Sequence, residues 1–271
     1  MLFSIIVVSL NPGEKLSLTL KSIARQTFKD YEVIIKDGLS TDGSLEKISD
    51  IALSDLKIFK EKDSGIYDAM NQGFSHSEGD YIYYLNCGDY FASDDVLDII
   101  ASKIKAPSGK AKDEKPRIIY GNIFERTTKT HVTSNPKIDG FACYRNVPCH
   151  QACFYERSLI KAHPFDTSYK VRADYEQFLW CYYRAGASMI YLDKNIADYE
   201  GDGYSESAKG LKISNEEHQK ITALYMSKSE IIKYKTILNI TLVPLRRAMA
   251  KNKKTAALYN TLKGFLYRSN K

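Results

Sequence analysis

The chain contains no run approaching the eighteen or more apolar residues that a membrane-crossing helix needs. Its apolar N-terminal stretch, residues 4–8, is too short for a secretory signal and no basic segment precedes it, so no leader is expected. Cysteine is sparse and odd in number: Cys87, Cys143, Cys149, Cys153 and Cys181 form no CxxC pair. That favours reduced thiols in cytoplasm over a disulfide framework. Cys149, His150 and Cys153 hint at zinc, but no fourth ligand is evident. Acidic residues nearly vanish at the C-terminus, where residues 228–271 hold eleven Lys or Arg against Glu230 alone. The tail therefore carries +10 of a chain whose total is +6, and the rest is mildly acidic at −4.

Apolar positions (Ile231, Ile232, Ile237, Leu238, Leu242, Leu245) are interspersed with those tail charges. An anionic membrane surface attracts each nearby Lys or Arg by about 1 kcal/mol. Burial of a few apolar side chains would add to that, giving a peripheral contact with the inner face of the cell membrane. Nucleic acid competes for any basic tail. No DNA- or RNA-binding motif supports it, and no nucleic-acid partner is expected. A helical hairpin packed on the main domain is the other reading, with a break expected near Val243 before Pro244. Lys103 to Arg117 mixes Lys, Pro and Gly and reads as a surface excursion.

The remaining sequence is that of an α/β enzyme. At 271 residues with 44% hydrophobic and 27% charged residues, it can form one large domain with an extension. Phe3–Leu10 reads as a strand closed by Asn11-Pro12-Gly13, Glu14–Gln26 as an amphipathic helix, and Tyr31–Asp37 as a parallel strand. The pattern continues with a helix near Ser44–Leu53, a strand Leu56–Lys60 and a helix Ile66–Ser75 with Ile66, Met70 and Phe74 on its packing stripe. The apolar run Tyr81–Leu85 then stops in the polar turn Asn86-Cys87-Gly88-Asp89. Asn11, Asp37 and Asp89 thus converge on one sheet edge, the C-terminal edge where open α/β sheets bind ligands. A carboxylate there suits a hard divalent cation.

These residues, in order, resemble a family-2 glycosyltransferase of the GT-A fold. The resemblance is carried by Ser4–Asn11, Lys36–Ser44, Asp63-Ser64-Gly65-Ile66-Tyr67-Asp68-Ala69-Met70-Asn71-Gln72-Gly73, Gly79–Asp89, His150-Gln151 and Ala173-Asp174-Tyr175-Glu176. It covers about residues 3–205 and is strongest to the branch that builds bacterial extracellular polysaccharides, the colanic-acid type. It implies a nucleotide-sugar-binding fold with a central, mostly parallel sheet flanked by helices. The expected division is a GT-A domain over 1–210, with a nucleotide-binding half 1–100 and an acceptor half 117–210, and a basic helical extension over 211–271.

The resemblance also implies roles. The reaction would be inverting transfer from a nucleotide-sugar, by family habit a UDP-sugar, to a glycan or lipid-linked glycan acceptor in surface polysaccharide synthesis. Asp89 would ligate Mn²⁺ or Mg²⁺, although Asn86 and Gly88 replace part of the family's acidic cluster. Asp37 would read the base with Asn11 beside it, and Asp63, Asn71 and Asn86 would line the donor site. Asp42 suits helix capping, and an N-cap is the other reading of Asp63. His150-Gln151 would border the acceptor side within reach of the pyrophosphate, a structural histidine being the alternative. Asp174, opening the helix Asp174–Ala185, is the expected general base, with Glu176 as rival and a plain N-cap as the other reading. Gly201–Ser205 resembles a closing loop. A nucleotidyltransferase is disfavoured because Asn11-Pro12-Gly13 is too short a phosphate loop and lacks a cation; a non-catalytic nucleotide-sugar-binding subunit stays open.

Overall fold

A computed structural model of the chain describes residues 1–105, 115–201 and 207–240, with positions 255, 258, 259 and 261 beyond them. Its first half is a parallel sheet built from β1 (Phe3–Ser9), β2 (Tyr31–Asp37), β3 (Leu56–Lys60) and β4 (Tyr81–Tyr84), in spatial order β3-β2-β1-β4. Every residue of β1, β2 and β4 is buried, because helices cover both faces. Helix α1 (Glu14–Ala24) brings Leu16, Leu20 and Ile23 against Phe3, Ile5 and Val7. Helix α2 (Ile66–Ser75) brings Tyr67 and Met70 against Ile6 and Val8 on the opposite face. The chain moves outward from β1 to β3 and then returns to β1's other side at β4. The C-terminal ends of β1 and β4 therefore flank a topological switch point, where such sheets open a crevice.

Beyond β4 come β5 (Tyr90–Phe91), α3 (Val96–Lys105), β6 (Arg117–Glu125), β7 (Thr130–Val132), α4 (Gly140–Arg145), β8 (Cys153–Glu156), α5 (Arg157–Ala162), α6 (Ala173–Tyr183) and β9 (Ser188–Tyr199). Strand β8 runs antiparallel between β4 and β6, and β9 pairs parallel to β6 while β5 pairs antiparallel to β9. The nine-stranded sheet is thus parallel in its first half and mixed in its second. Helices α7 (Ala208–Tyr225) and α8 (Lys228–Ile240) pack with α4 and α6 around a third core of Cys143, Tyr144, Tyr175, Leu179, Ile221 and Met226.

Three expectations need correction. The segment Ser44–Leu53 is a single 3₁₀ turn, Glu46–Ile48, because Ile48 alone of its apolar residues is fully buried. The Asp42 carboxylate caps no α-helix; it accepts from Gly13 N (2.7 Å) and Ser44 N (3.1 Å), tying two turns together. On α2 the packing stripe is displaced: Ile66 is 45% exposed while Tyr67 is buried, since the Tyr67 hydroxyl reaches across to the loop before α6. Gly73 belongs to this contact, since a Cβ there would lie 2.6 Å from Ile6 Cγ2.

Helix α8 has no fully buried residue, yet its Ile231, Tyr234 and Leu238 rest on the third core while Ile232 and Ile240 face outward. The expected break at Val243, most of the Gly201–Ser205 loop and the middle of Lys103–Arg117 lie outside the described residues. None of the described helices is long and apolar enough to cross a membrane.

Candidate active site

The strand ends place Asn11, Asp37, Asp63 and Asn86 along one edge, but most of their polar atoms are already engaged. Asp37 is fully buried and accepts from Ser9 Oγ (2.9 Å), Ser40 N (2.7 Å) and Ser40 Oγ (2.6 Å). Asn11, at φ +47°, accepts Thr41 N at 2.8 Å. The two residues therefore build the loop Gly38–Thr41 that rims the crevice. Asp63 Oδ2 pairs with Lys36 Nζ at 2.7 Å, and Lys36 is wholly buried within β2. A lysine inside a buried strand must be paired, because an isolated charge there is too costly. Gly38 lies beside this pair, a Cβ there falling 2.9 Å from Asp63 Oδ2. Asn71 turns away from the crevice: its amide donates to Phe165 O (2.8 Å) and accepts from Phe165 N (3.0 Å).

Asp89 is 3% exposed and stands at the far side of the same edge. Its carboxylate accepts Gln151 Nε2 and Glu200 N, each at 2.9 Å. Burial pushes its pKa above the ordinary aspartate value, against those two hydrogen bonds and the nearby His150 and Arg126. A desolvated carboxylate of this kind gains from an added cation. Asn86 Oδ1, three residues earlier, is buried with no hydrogen-bond partner among the described residues. An orphaned carbonyl oxygen and a carboxylate are hard donors and fit a divalent metal. Among the described residues no group of three or more His, Cys, Asp and Glu forms a metal cluster, which removes the Cys149-His150-Cys153 zinc reading there.

Arg126, at the end of β6, was not legible as a site residue. One guanidinium nitrogen donates to Gly88 O, the group stacks 4.2 Å over the Tyr90 ring, and Nη1 is buried without a partner among the described residues. It fixes a positive charge against the Asn86–Asp89 turn.

Asp174 lies in the first turn of α6, whose N-cap is Arg172, so it is not the cap itself. Its Oδ1 accepts from Tyr175 N (2.8 Å) and Tyr67 OH (3.1 Å), and its Oδ2 lies 3.2 Å from His150 Nδ1. His150 Nε2 faces Asn86 Nδ2 at 3.2 Å. The amide nitrogen can only donate, so Nε2 accepts and the ring proton sits on Nδ1, pointing at Asp174. A continuous chain, Asn86–His150–Asp174, therefore joins the strand-end turn to the carboxylate. Burial alone would raise the Asp174 carboxyl; the hydrogen bond from His150, with those of Tyr175 N–H and Tyr67, outweighs it and holds the pKa below the ordinary value. Environments that drive two carboxylates apart, Asp174 downward and Asp89 upward, are how folds separate acid–base and electrostatic roles.

With 27% of its side chain exposed, Asp174 borders a cavity of about 450 Å³ that Arg145, Arg172, Tyr175, Tyr199 and Glu125 also line. Glu176 does not reach it: that carboxylate is 4% exposed and bonds His163 Nε2 (2.9 Å) and Tyr225 OH on α6's other side.

The family model described as Glycosyl transferase family 2 matches residues 4–160, more than half of the chain. A PGL/p-HBAD biosynthesis glycosyltransferase of Mycobacterium tuberculosis is 32% identical over 207 residues, spanning 74% of this chain and 78% of that protein. Among solved structures, S. aureus TarS 1-349, crystallised with UDP-GlcNAc, superposes with a TM-score of 0.65 at 18% identity, covering 94% of this chain and 74% of that one. The mannosyltransferase PcManGT of Pyrobaculum calidifontis, solved with GDP-Man and Mn²⁺, gives 0.55 at 13% identity, covering 97% and 86%. A GT-A sheet whose strand-end turn is wired through a histidine to a helix-borne carboxylate belongs with that match, and the chain is a glycosyltransferase of family 2.

Proposed function

We propose that the chain is an inverting transferase that moves a sugar from a UDP-sugar to a glycan or lipid-linked glycan acceptor in bacterial surface polysaccharide synthesis. The observation that carries this reading is the Asp174 carboxylate, standing in a cavity wall and tied through His150 to the Asn86 turn. The acceptor enters that cavity and its hydroxyl oxygen attacks the anomeric carbon from the side opposite the diphosphate. Its proton passes to Asp174, and the electron pair of the breaking glycosidic bond leaves with the nucleotide diphosphate. A positioned base of this kind contributes about 10²–10⁴-fold. No covalent sugar–enzyme intermediate is needed. Tyr67 shares one proton between Val171 O (2.7 Å) and Asp174 Oδ1 (3.1 Å). Once Asp174 gains a proton, Tyr67 can give its own to Val171 O alone and accept from the new acid.

Mn²⁺ or Mg²⁺ would be held by Asp89 and Asn86 Oδ1, and when bound it supplies charge stabilisation to the departing diphosphate. Arg126 adds a fixed positive charge behind that turn. Asn11 and Asp37 shape the base-side loop, and Asp63 fixes Lys36 beneath it; Asn71 is left out of the donor site. TarS and the Pyrobaculum enzyme, solved with UDP-GlcNAc and with GDP-Man and Mn²⁺, support the nucleotide-sugar and metal assignments.

On this reading residues 1–210 carry the nucleotide-sugar site and the base, with α7 packed against them. The basic segment 211–271 places a cytoplasmic enzyme on the inner membrane surface, with outward-facing Ile232 and Ile240 on α8 beside Lys228, Lys233 and Lys235. Thermal-shift screening of UDP- and GDP-sugars with Mn²⁺ or Mg²⁺, followed by labelled-sugar transfer, tests the chemistry. Metal-dependent stabilisation by a UDP-sugar is expected; stabilisation by no nucleotide-sugar at all would refute it. Vesicle flotation tests the membrane contact, which requires binding to anionic but not to neutral vesicles.

A further inference from the structure

Helix α7 lies beyond the segment that matches the family model, yet it delivers a buried carboxylate to the foot of α6. Glu217 is 6% exposed. Its Oε1 accepts Lys170 N at 2.7 Å, and its Oε2 accepts Val171 N at 3.0 Å and Arg172 N at 2.9 Å. Three successive backbone N–H groups gathered on one anion form a nest, and hydrogen bonds to an ionised acceptor are the strong ones. One turn earlier on α7, Ser214 accepts Arg172 Nε through both its carbonyl and its hydroxyl, each at 2.8 Å. The residue after Arg172 opens α6, and the next is Asp174.

The same peptide is gripped from its other side. Val171 O accepts Tyr67 OH, and that hydroxyl also donates to Asp174. Residues 170–172 are thus held through their N–H groups by α7 and through a carbonyl by α2, with the carboxylate hanging directly from the clamp. Without Glu217 three N–H groups would lose their acceptor, and water would compete for them.

We infer that Glu217 is a positioning residue that sets the direction of the Asp174 carboxylate by anchoring the peptide 170–172. This rests on Asp174 being the base, and it makes α7 part of the catalytic architecture.

Residue-resolved amide exchange on the full chain tests it, using wild type, Glu217→Ala, Glu217→Gln and Asp174→Asn. Tyr175 N–H lies in the first turn of α6, where no intrahelical acceptor exists, so its protection reports the Asp174 contact directly. In Glu217→Ala, exchange at Lys170, Val171, Arg172 and Tyr175 rises by roughly tenfold or more, while Ile221 in α7 keeps its protection. Glu217→Gln, which retains one acceptor oxygen, gives a smaller rise in the same four amides and decides the matter if the alanine variant does not fold. Wild-type protection at Tyr175 with residues 170–172 freed overturns the inference, as does uniform loss of protection throughout α7. Transfer activity surviving in Asp174→Asn would sink the base assignment instead, whatever Tyr175 does.

Discussion

Replacing His150 with Phe keeps a ring of similar shape and removes both hydrogen bonds that join Asn86 to Asp174. Asp174 keeps Tyr67 OH and Tyr175 N–H but loses the His150 contact, the largest of the influences that lower its pKa. A hydrogen bond to a charged group is worth about 1.5–3 kcal/mol, and that is the expected loss of folding stability at neutral pH. Turnover falls about 10–100-fold, because a base displaced by a fraction of an ångström to 1 Å abstracts its proton less well. Two pH effects follow from the same cause. With burial less opposed, the carboxyl pKa moves up, so the acid limb of kcat/KM for UDP-sugar transfer shifts to higher pH. The depressed pKa contributes stability present above the unfolded value, about 3.9, and lost as pH falls through the folded value. In the variant that contribution shrinks and acid unfolding begins at higher pH. A lowered kcat with an unmoved acid limb would show that His150 acts on the donor and not through Asp174.

The remaining perturbations separate ligand roles from structural ones. Asp89→Ala should abolish metal-dependent nucleotide binding measured by calorimetry; equal wild-type affinity with and without chelator would contradict the ligand assignment. Asp63→Ala leaves the buried Lys36 ammonium unpaired and should cost about 3–5 kcal/mol in denaturant unfolding. A change confined to donor KM at full stability would instead put Asp63 in direct contact with the nucleotide-sugar. Asn71→Leu should lower the melting temperature through the two lost Phe165 contacts and leave donor KM unchanged.

Much of the scaffold was readable because it is local. Strands Tyr31–Asp37 and Leu56–Lys60 and helix Ile66–Ser75 match their expected bounds, since apolar runs and turn residues mark them without reference to the rest of the chain. Ser44–Leu53 failed because Ile48 alone of its apolar residues is fully buried, while Leu45, Ile51 and Leu53 rest only partly buried against the core. The α2 stripe was misread because Tyr67 is pulled inward by a carbonyl more than a hundred residues away. The proposed base, Asp174, could be chosen from a motif, but what orients it could not. Arg126, Tyr67 and Glu217 reach their partners only through sheet order and helix packing. Lys36 carried a usable signal, a cation inside the buried strand Tyr31–Asp37. Asp37 and Asn11 were placed at the right edge, while the loop that consumes their polar atoms is visible only in three dimensions.

Substituting Asp174 by Asn, followed by parallel measurement of sugar transfer and calorimetric donor binding, addresses the central claim most directly. Transfer should drop by about 10²–10⁴-fold with donor affinity intact, since the amide keeps the shape but takes no proton at neutral pH. Wild-type transfer rates in that variant would contradict the account.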